Sequence, residues 1–334
     1  MATESGLQVK QEDLAAGVLA GNRRALARAI TLVESRNPAH QPAADALLSS
    51  LLPASGRAIR LGITGTPGVG KSSFIERFGM FLLDQGLRVA VLAIDPSSSL
   101  SGGSILGDKT RMETLSRDIR AFIRPSPSAG SLGGVARRTR EAMVLVEAAG
   151  FDVVLVETVG VGQSETTVAE MVDMFLLLLA PGGGDDLQGI KRGIMELADL
   201  VIVNKADGDL LKAARLAQSD YRAALHLMRP RHPEWRARVE LVSSLRGEGI
   251  AETWAAISEF RAALEATGAL AAQRQKQARG WLNRELQDGL WDWLRADAAV
   301  ARALPELETA VGAGAITPAA AARRLLAERF GRSL

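Results

Sequence analysis

The fold of this chain is decided by the stretch AIRLGITGTPGVGKSSFIERFGMFLLD at residues 58–84, which joins an apolar strand to an amphipathic helix through a glycine-rich turn. The turn fits the pattern G-x-x-x-x-G-K-[ST], in which backbone N–H groups and the start of the following helix surround phosphate oxygens. Lys71 is expected to reach the β- and γ-phosphates, and the Ser72 hydroxyl to ligate Mg²⁺. The predicted phosphate-binding residues are Gly65, Pro67, Gly68, Val69, Gly70, Lys71, Ser72 and Ser73.

A second motif, LVIVNKAD at 200–207, predicts a buried strand that ends in the pattern N-K-x-D. A carboxylate at Asp207 accepts hydrogen bonds from the N1–H and the exocyclic amine of guanine, whereas adenine carries an acceptor at N1 and would leave it unpaired. Lys205 is expected to lie along the base, and Asn204 to tie neighbouring loops together. The other residues expected near the base are Ser243, Ser244 and Leu245. The sequence therefore predicts a site for GTP and GDP.

A carboxylate stands at the end of the apolar segment FDVVLVE at 151–157, where a buried strand is predicted. Burying an unpaired carboxylate is costly, so Glu157 needs a partner. P-loop GTPases carry an acidic residue at this point and a glycine three positions later, which here is Gly160. Glu157 is therefore expected to approach Mg²⁺, directly or through a water, and the Gly160 N–H to contact the γ-phosphate. The predicted catalytic residues are Lys71, Glu157 and Gly160.

The segment AIDPSSSLSGGSILGDKTRM at 93–112 supplies further oxygen ligands. Asp95 follows the second predicted strand of the domain, and Asp108 lies in a loop rich in Ser and Gly. Mg²⁺ usually takes one or two carboxylates together with phosphates and waters. As an alternative, Asp108 caps the helix that follows it. The predicted metal ligands are Ser72, Asp95, Asp108 and Glu157.

Short apolar runs alternate with helical patterns from Arg57 to about residue 268, which is typical of a mainly parallel sheet covered on both faces. The predicted strands are 58–64, 88–94, 119–124, 151–157, 173–180, 199–204 and 238–242. The fold class is therefore α/β, a P-loop GTPase with added helices. The predicted regions are an N-terminal helical extension at 1–56, the GTPase domain at 57–268 and a C-terminal helical arm at 269–334.

The C-terminal arm contains a ladder of leucines four residues apart, accompanied by three of the five tryptophans of the chain. Two interpretations stay open: these side chains cover the main domain, or they pack on a second subunit. The dipeptide Thr317-Pro318 predicts the start of a last helix, with Thr317 as its cap. The ladder consists of Leu282, Leu286, Leu290 and Leu294, and the tryptophans are Trp281, Trp291 and Trp293.

Composition narrows the class of protein. The chain has 334 residues, 40 basic against 38 acidic side chains and no cysteine, which excludes disulfides and thiolate metal sites. The polar start has no signal-peptide core, and the most apolar run, MFLLLLAP at 174–181, is too short to span a bilayer. We expect a soluble cytoplasmic protein that binds neither membrane nor nucleic acid.

These motifs together resemble the MeaB/ArgK family of GTPases associated with methylmalonyl-CoA mutase. The resemblance covers nearly the whole chain and rests on the P-loop, the E-x-x-G pattern, SGGSILGDKTRM at 101–112, ETVGVGQSE at 157–165 and PGGGDDLQGIKRGIMELADLVIVNKAD at 181–207.

The resemblance implies a homodimeric GTPase that gates adenosylcobalamin loading of the mutase and protects that enzyme during turnover. It also implies an additional mobile signalling loop at about 182–193; the alternative interpretation is an ordinary turn that leads into an amphipathic helix. Its predicted switch residues are Asp185, Asp186, Gln188 and Lys191. Gln163 stands three residues after Gly160, so it is not assigned the water-positioning role, and slow hydrolysis accelerated by the partner is expected.

Three other functions compete with this interpretation. One is a small-molecule kinase of the amino-acid-transport type, although no acceptor-binding lobe or base is recognisable in the sequence. Another is a GTPase that serves a sibling cobalamin-dependent acyl-CoA mutase. A third is a nucleic-acid-associated GTPase, suggested by the basic segment RPRHPEWRAR at 229–238.

Overall fold

The structure is a computed structural model that describes residues 12–94, 112–125, 132–158, 164–182 and 192–330. The chain divides into two compact units, Met1–Ala271 and Ala272–Leu334. The three regions predicted at 1–56, 57–268 and 269–334 remain a prediction.

The first unit is built on one seven-stranded sheet in the order β3-β2-β4-β1-β5-β6-β7, in which every neighbouring pair is parallel. All seven predicted strands are present, and each end lies within two residues of its predicted position. The mainly parallel α/β fold is thereby confirmed. The strands are β1 (Ile59–Gly65), β2 (Val89–Ile94), β3 (Ala121–Pro125), β4 (Val153–Thr158), β5 (Met174–Leu179), β6 (Leu200–Val203) and β7 (Arg238–Leu241).

Helices connect the strands and cover both faces of the sheet, as parallel strands require. Residues 12–19 form α1. The others are α2 (Arg23–Val33), α3 (Gln41–Leu51), α4 (Lys71–Asp84), α5 (Glu113–Arg117), α6 (Leu132–Ala148), α7 (Ser164–Ala169), α8 (Arg192–Met195), α9 (Leu211–His226), α10 (Ile250–Thr267), α11 (Ala269–Ala296), α12 (Ala298–Gly312) and α13 (Pro318–Phe330).

The core of the first unit lies between the central strands and their covering helices. Every residue of β1 is buried, and α4 stacks Phe74 on Phe78 at a ring-centroid distance of 5.4 Å against that strand's face. This packing fixes the start of α4, and with it the glycine-rich turn, relative to the end of β1.

The most apolar run of the sequence is an interior strand. Met174–Leu179 forms β5, which is buried along its whole length between β1 and β6. Among the residues that the structure describes, no helix combines the length and the hydropathy needed to cross a membrane.

The second unit has a small apolar core of its own, made by α12, α13 and the end of α11. The last helix begins at Pro318, and the Thr317 hydroxyl accepts a hydrogen bond from the Ala320 N–H at 3.3 Å, so the predicted helix start is confirmed. The buried residues are Leu294, Val300, Leu307, Ala321 and Leu325. Most of the leucine ladder and two of the tryptophans on α11 are exposed, namely Leu282, Leu286, Leu290, Trp291 and Trp293.

Candidate nucleotide-binding site

The strand order places the predicted motifs at one edge of the sheet. The chain passes from β1 to strands on one side of it and later to strands on the other, which creates a crevice at the carboxyl ends of the strands. The glycine-rich turn follows β1, Glu157 is the last residue but one of β4, and Asn204 follows β6. Three motifs that are far apart in sequence therefore meet at one edge.

The glycine-rich turn needs its glycines because neighbouring atoms approach closely. A Cβ at Gly65 would lie 2.4 Å from the carbonyl oxygen of Leu178 on β5. Gly70 has a φ of +91° immediately before α4, and a Cβ there would lie 2.8 Å from Nδ2 of Asn204. Glycine is therefore the residue type that fits at positions 65 and 70 when the turn has this conformation.

Lys71 is the first residue of α4, and its side chain folds back over the turn. Its Nζ donates to the carbonyl oxygens of Gly65 at 2.8 Å and Thr66 at 3.3 Å. Ser72 is partly buried in the same helical turn, and Ser73 is exposed and lines a cavity. The lysine is therefore held above the loop that the sequence predicts to surround phosphates.

Asn204 ties the two motifs together, which is the structural role predicted for it. Its Nδ2 donates to the Val69 carbonyl at 3.0 Å, and its Oδ1 accepts from the Ser244 N–H at 3.2 Å and hydroxyl at 2.7 Å. Asn204 is 1% exposed, so these bonds replace water for every polar atom of its amide.

The residues beside Asn204 present a carboxylate and an aliphatic chain to the same space. Lys205 has a left-handed φ of 59°, and its Nζ donates to the Gly68 carbonyl at 2.7 Å. Asp207 accepts a hydrogen bond from the Ser243 hydroxyl. That bond leaves carboxylate lone pairs for another donor and fixes the direction in which they point.

These side chains border one cavity of about 730 Å³, large enough for a nucleotide base and ribose. Leu245 is 78% exposed at its rim. The predicted nucleotide-binding residues that line this cavity are Gly70, Ser73, Asn204, Lys205, Asp207, Ser244 and Leu245.

Among the cavity residues that were not predicted from the sequence, two on α4 hold neighbouring segments of the chain. Arg77 donates from Nε to the Ser244 carbonyl at 3.2 Å and from Nη2 to the Leu245 carbonyl at 3.0 Å, so α4 holds the loop after β7. Glu76 accepts from the Thr114 N–H at 2.8 Å, so the same helix holds the start of α5. Their partners lie far away in sequence, and a Glu-Arg pair on an amphipathic helix gives no local signal.

Glu157 lies where the sequence places it, beside the P-loop strand. It pairs with Ile63 of β1 and is 5% exposed. The next residue, Thr158, donates to the hydroxyl of Thr64 at 2.8 Å, which joins the ends of β4 and β1. A buried carboxylate at this edge suits a cation held against phosphates.

Several predicted residues lie outside the described part of the chain. Within the described part, no group of three or more His, Cys, Asp or Glu side chains could hold a metal ion. Ser72 and Glu157 are the described members of the predicted metal set, and their oxygen donors suit Mg²⁺. The residues outside are Asp95, Asp108, Gly160, Gln163, Asp185, Asp186, Gln188 and Lys191.

A P-loop after the first strand of a parallel sheet, joined through Asn204 to an N-K-x-D loop that lines a base-sized cavity, defines the class of P-loop GTPases. The sequence profile of the family described as methylmalonyl Co-A mutase-associated GTPase MeaB matches residues 26–299, and the chain belongs to this family. The resemblance drawn from the motifs is therefore confirmed.

Relatives of known sequence and structure cover nearly the full chain. A putative GTPase of Caulobacter vibrioides is 60% identical over 93% of this chain and 95% of its own length. The mitochondrial methylmalonic aciduria type A homolog of Mus musculus is 50% identical over 93% of this chain and 77% of its own length. A crystal structure described as LAO/AO transport system kinase has a TM-score of 0.78 and 42% identity, and covers 97% of this chain and 98% of that chain.

Proposed function

We propose that this GTPase is a nucleotide-driven switch that gates adenosylcobalamin loading of methylmalonyl-CoA mutase and protects that enzyme during turnover. The observation that carries the nucleotide part is the Asp207 carboxylate, held by Ser243 at the wall of the cavity that Asn204 joins to the P-loop. The family description and the name of the mouse relative support the mutase as the client.

Binding would begin with the exchange of partners at the P-loop. Lys71 now donates to two loop carbonyls, and phosphate oxygens offer it stronger, charged acceptors. At the other end, Asp207 would accept from the guanine N1–H and amine while Lys205 lies along the base. Each of these contacts uses a side chain that the fold already holds in position.

Hydrolysis forms a bond from a water oxygen to the γ-phosphorus and breaks that phosphorus's bond to the bridging oxygen, giving GDP and phosphate. Ser72 and Glu157 would hold Mg²⁺, which neutralises phosphate charge when it is bound. Lys71 and the Gly160 N–H would stabilise the charge on the γ-phosphate oxygens. Since no water-positioning residue is assigned, slow turnover accelerated by the client is expected.

The switch residues proposed for the signal to the client are Asp185, Asp186, Gln188 and Lys191. They belong to the segment between β5 and β6 and come from the family resemblance. The segment starts where β5 ends, next to the P-loop strand, which is a position that γ-phosphate contacts could influence.

The first experiment measures GTP hydrolysis with and without purified methylmalonyl-CoA mutase, with ATP as the nucleotide control. The proposal is supported if methylmalonyl-CoA mutase strongly stimulates the hydrolysis of GTP but not of ATP. Stimulation only by an isobutyryl- or ethylmalonyl-CoA-type mutase would replace the client. Transfer of the γ-phosphate to an organic acceptor instead of water would favour the kinase alternative, to which the name of the related crystal structure corresponds.

We also propose a homodimer formed through α11. Leu286 and Leu290 are 55% and 64% exposed on one stripe of this helix, which a partner helix would cover. The double variant Leu286→Glu/Leu290→Glu should sediment as a monomer. The control Leu216→Glu/Leu227→Glu adds the same charges at exposed leucines of the first unit and should remain a dimer.

A further inference from the structure

A second cavity, of about 160 Å³, lies at the opposite end of the elements that form the nucleotide cavity. Asp199 precedes β6, Arg236 precedes β7 and His226 ends α9, and all three line it. The nucleotide cavity is lined by residues after β6 and β7 and before α9, such as Asp207 and Leu210. The two cavities are therefore separate sites.

The wall of this second cavity is strongly basic. Its charged or titratable members are Glu196, Asp199, Arg222, His226, Arg229, Arg231 and Arg236. Four arginines thus face two carboxylates, and the basic segment 229–238 that the nucleotide site does not use supplies three of them.

The positive charge of Arg231 is paired with the buried Asp199 carboxylate. Asp199 is 2% exposed, and its carboxylate accepts from the Arg231 guanidinium at 3.1 Å and the Phe175 N–H at 2.8 Å. Arg231 also donates to the Ala169 carbonyl at 2.8 Å. The indole N–H of Trp235 donates to the Asp199 carbonyl at 2.8 Å, which fixes the aromatic part of the wall.

The other three arginines of the wall, Arg222, Arg229 and Arg236, have N–H groups available for a ligand. Arg222 donates through Nη2 to the Val239 carbonyl at 3.1 Å. Arg229 and Arg236 form neither a hydrogen bond nor an ion pair with any residue in the described ranges. Guanidinium groups that line a concave site are typical of oxyanion recognition, because their planar forks match phosphate oxygens.

We propose that this cavity binds the phosphate group of a small phosphorylated ligand, held by Arg222, Arg229 and Arg236. The volume suits a compact oxyanion and is several times smaller than the nucleotide cavity. The apolar part of the wall, including Met228 and Trp235, would contact the organic part of the ligand.

The test uses the full chain saturated with GDP and Mg²⁺, so that the P-loop is occupied. Inorganic pyrophosphate is titrated at constant ionic strength while the Trp235 indole ¹H–¹⁵N resonance, assigned with Trp235→Phe, is followed. We expect a saturable shift, and an affinity about tenfold or more weaker in Arg229→Ala/Arg236→Ala. The control Arg28→Ala/Arg215→Ala removes two exposed arginines elsewhere and should titrate like the wild type.

Three results would overturn the inference. The Trp235 resonance could fail to move, the double variant could respond as the wild type does, or sodium chloride could produce the same shift. Tighter binding of a duplex oligonucleotide through the same arginines, with a steep salt dependence, would replace the small ligand by nucleic acid. Because GDP occupies the other cavity throughout, none of these results bears on GTP hydrolysis.

Discussion

The side-chain amide of Asn204 donates to the main-chain carbonyl of Val69 at 3.0 Å, although 135 positions separate the two residues in sequence. The same side chain accepts from both the N–H and the hydroxyl of Ser244. The P-loop, the N-K-x-D loop and the loop after β7 are thus one hydrogen-bonded unit. Phosphate binding and base binding should therefore be lost together when this unit is broken.

The first prediction concerns Asn204→Ala. The substitution leaves the buried Ser244 hydroxyl and the Val69 carbonyl without their partner, which should lower the free energy of unfolding by about 2 kcal/mol. GDP affinity, measured by calorimetry, should fall by at least about tenfold because neither loop is held in place. Asn22→Ala serves as the control, because Asn22 caps α2 and its loss should destabilise by about 1 kcal/mol without changing GDP affinity.

The second prediction concerns base selectivity. Asp207→Asn replaces two acceptors by one acceptor and one donor, so the guanine amine meets an N–H and GDP affinity should fall about a hundredfold or more. Xanthine carries a carbonyl where guanine carries the amine, so xanthosine diphosphate should bind the variant better than GDP does. Equal loss of affinity for both nucleotides would contradict the base-reading role of Asp207.

The fold and much of the candidate site could be predicted because their signals are local. The strand–turn–helix pattern around Lys71 and the apolar strand before Asn204 each lie within one short segment. Parallel strands then bring their carboxyl ends to one edge without any further information. The position of Glu157 beside the P-loop strand follows from the same rule.

Neither the contacts of Arg77 nor the smaller, basic cavity could be predicted in this way. Arg77 acts on carbonyls that are 167 and 168 positions away, and main-chain carbonyls have no sequence signature. Arg222 and Arg236 come from different elements, so only the packing of α9 on β7 shows that they share a cavity.

The third prediction tests Arg77 as a positioning residue. Arg77→Ala frees the carbonyls of Ser244 and Leu245, so the loop that holds Asp207 through Ser243 should shift. GDP affinity should fall about tenfold, and the preference for GDP over inosine diphosphate should shrink, because inosine lacks the amine that Asp207 reads. Arg77→Lys should rescue little, because lysine lacks the planar fork whose Nε and Nη2 each reach one of the two carbonyls. An unchanged preference would mean that Arg77 is only structural.

The fourth prediction concerns Glu157. Glu157→Gln keeps the volume and removes the charge, so the Mg²⁺ concentration that half-saturates GTP hydrolysis should rise roughly tenfold or more while the thermal midpoint changes little. Glu170→Gln, at an exposed glutamate beyond α7, is the matched control and should keep the wild-type dependence. The same Mg²⁺ dependence in both variants would exclude Glu157 from the metal site.

The fifth prediction concerns the pH dependence of stability. Burial raises the pKa of Asp199 to about 6, although Arg231 and the Phe175 N–H oppose the rise. The folded state therefore holds a proton that the unfolded state has lost, and this contribution to stability disappears as pH rises from about 4 to 6. Asparagine does not titrate, so Asp199→Asn does not lose this stability as pH rises. The difference in unfolding free energy by which the wild type exceeds the variant should therefore shrink by roughly 3 kcal/mol over this range.

A substitution of His232 should have the opposite pH dependence, because burial lowers the pKa of this side chain. Its Nε2 lies 3.5 Å from the Asp199 carboxylate, and burial, followed by the charge of Arg231, lowers its pKa to about 4. Its contribution to stability is present above pH 6.5 and is lost as pH falls toward 4. His232→Asn should therefore gain on the wild type as pH falls, whereas Asp199→Asn gains as pH rises. Urea unfolding of both variants at pH 4, 5, 6 and 7 measures these differences, and parallel curves for the two variants would contradict both assignments.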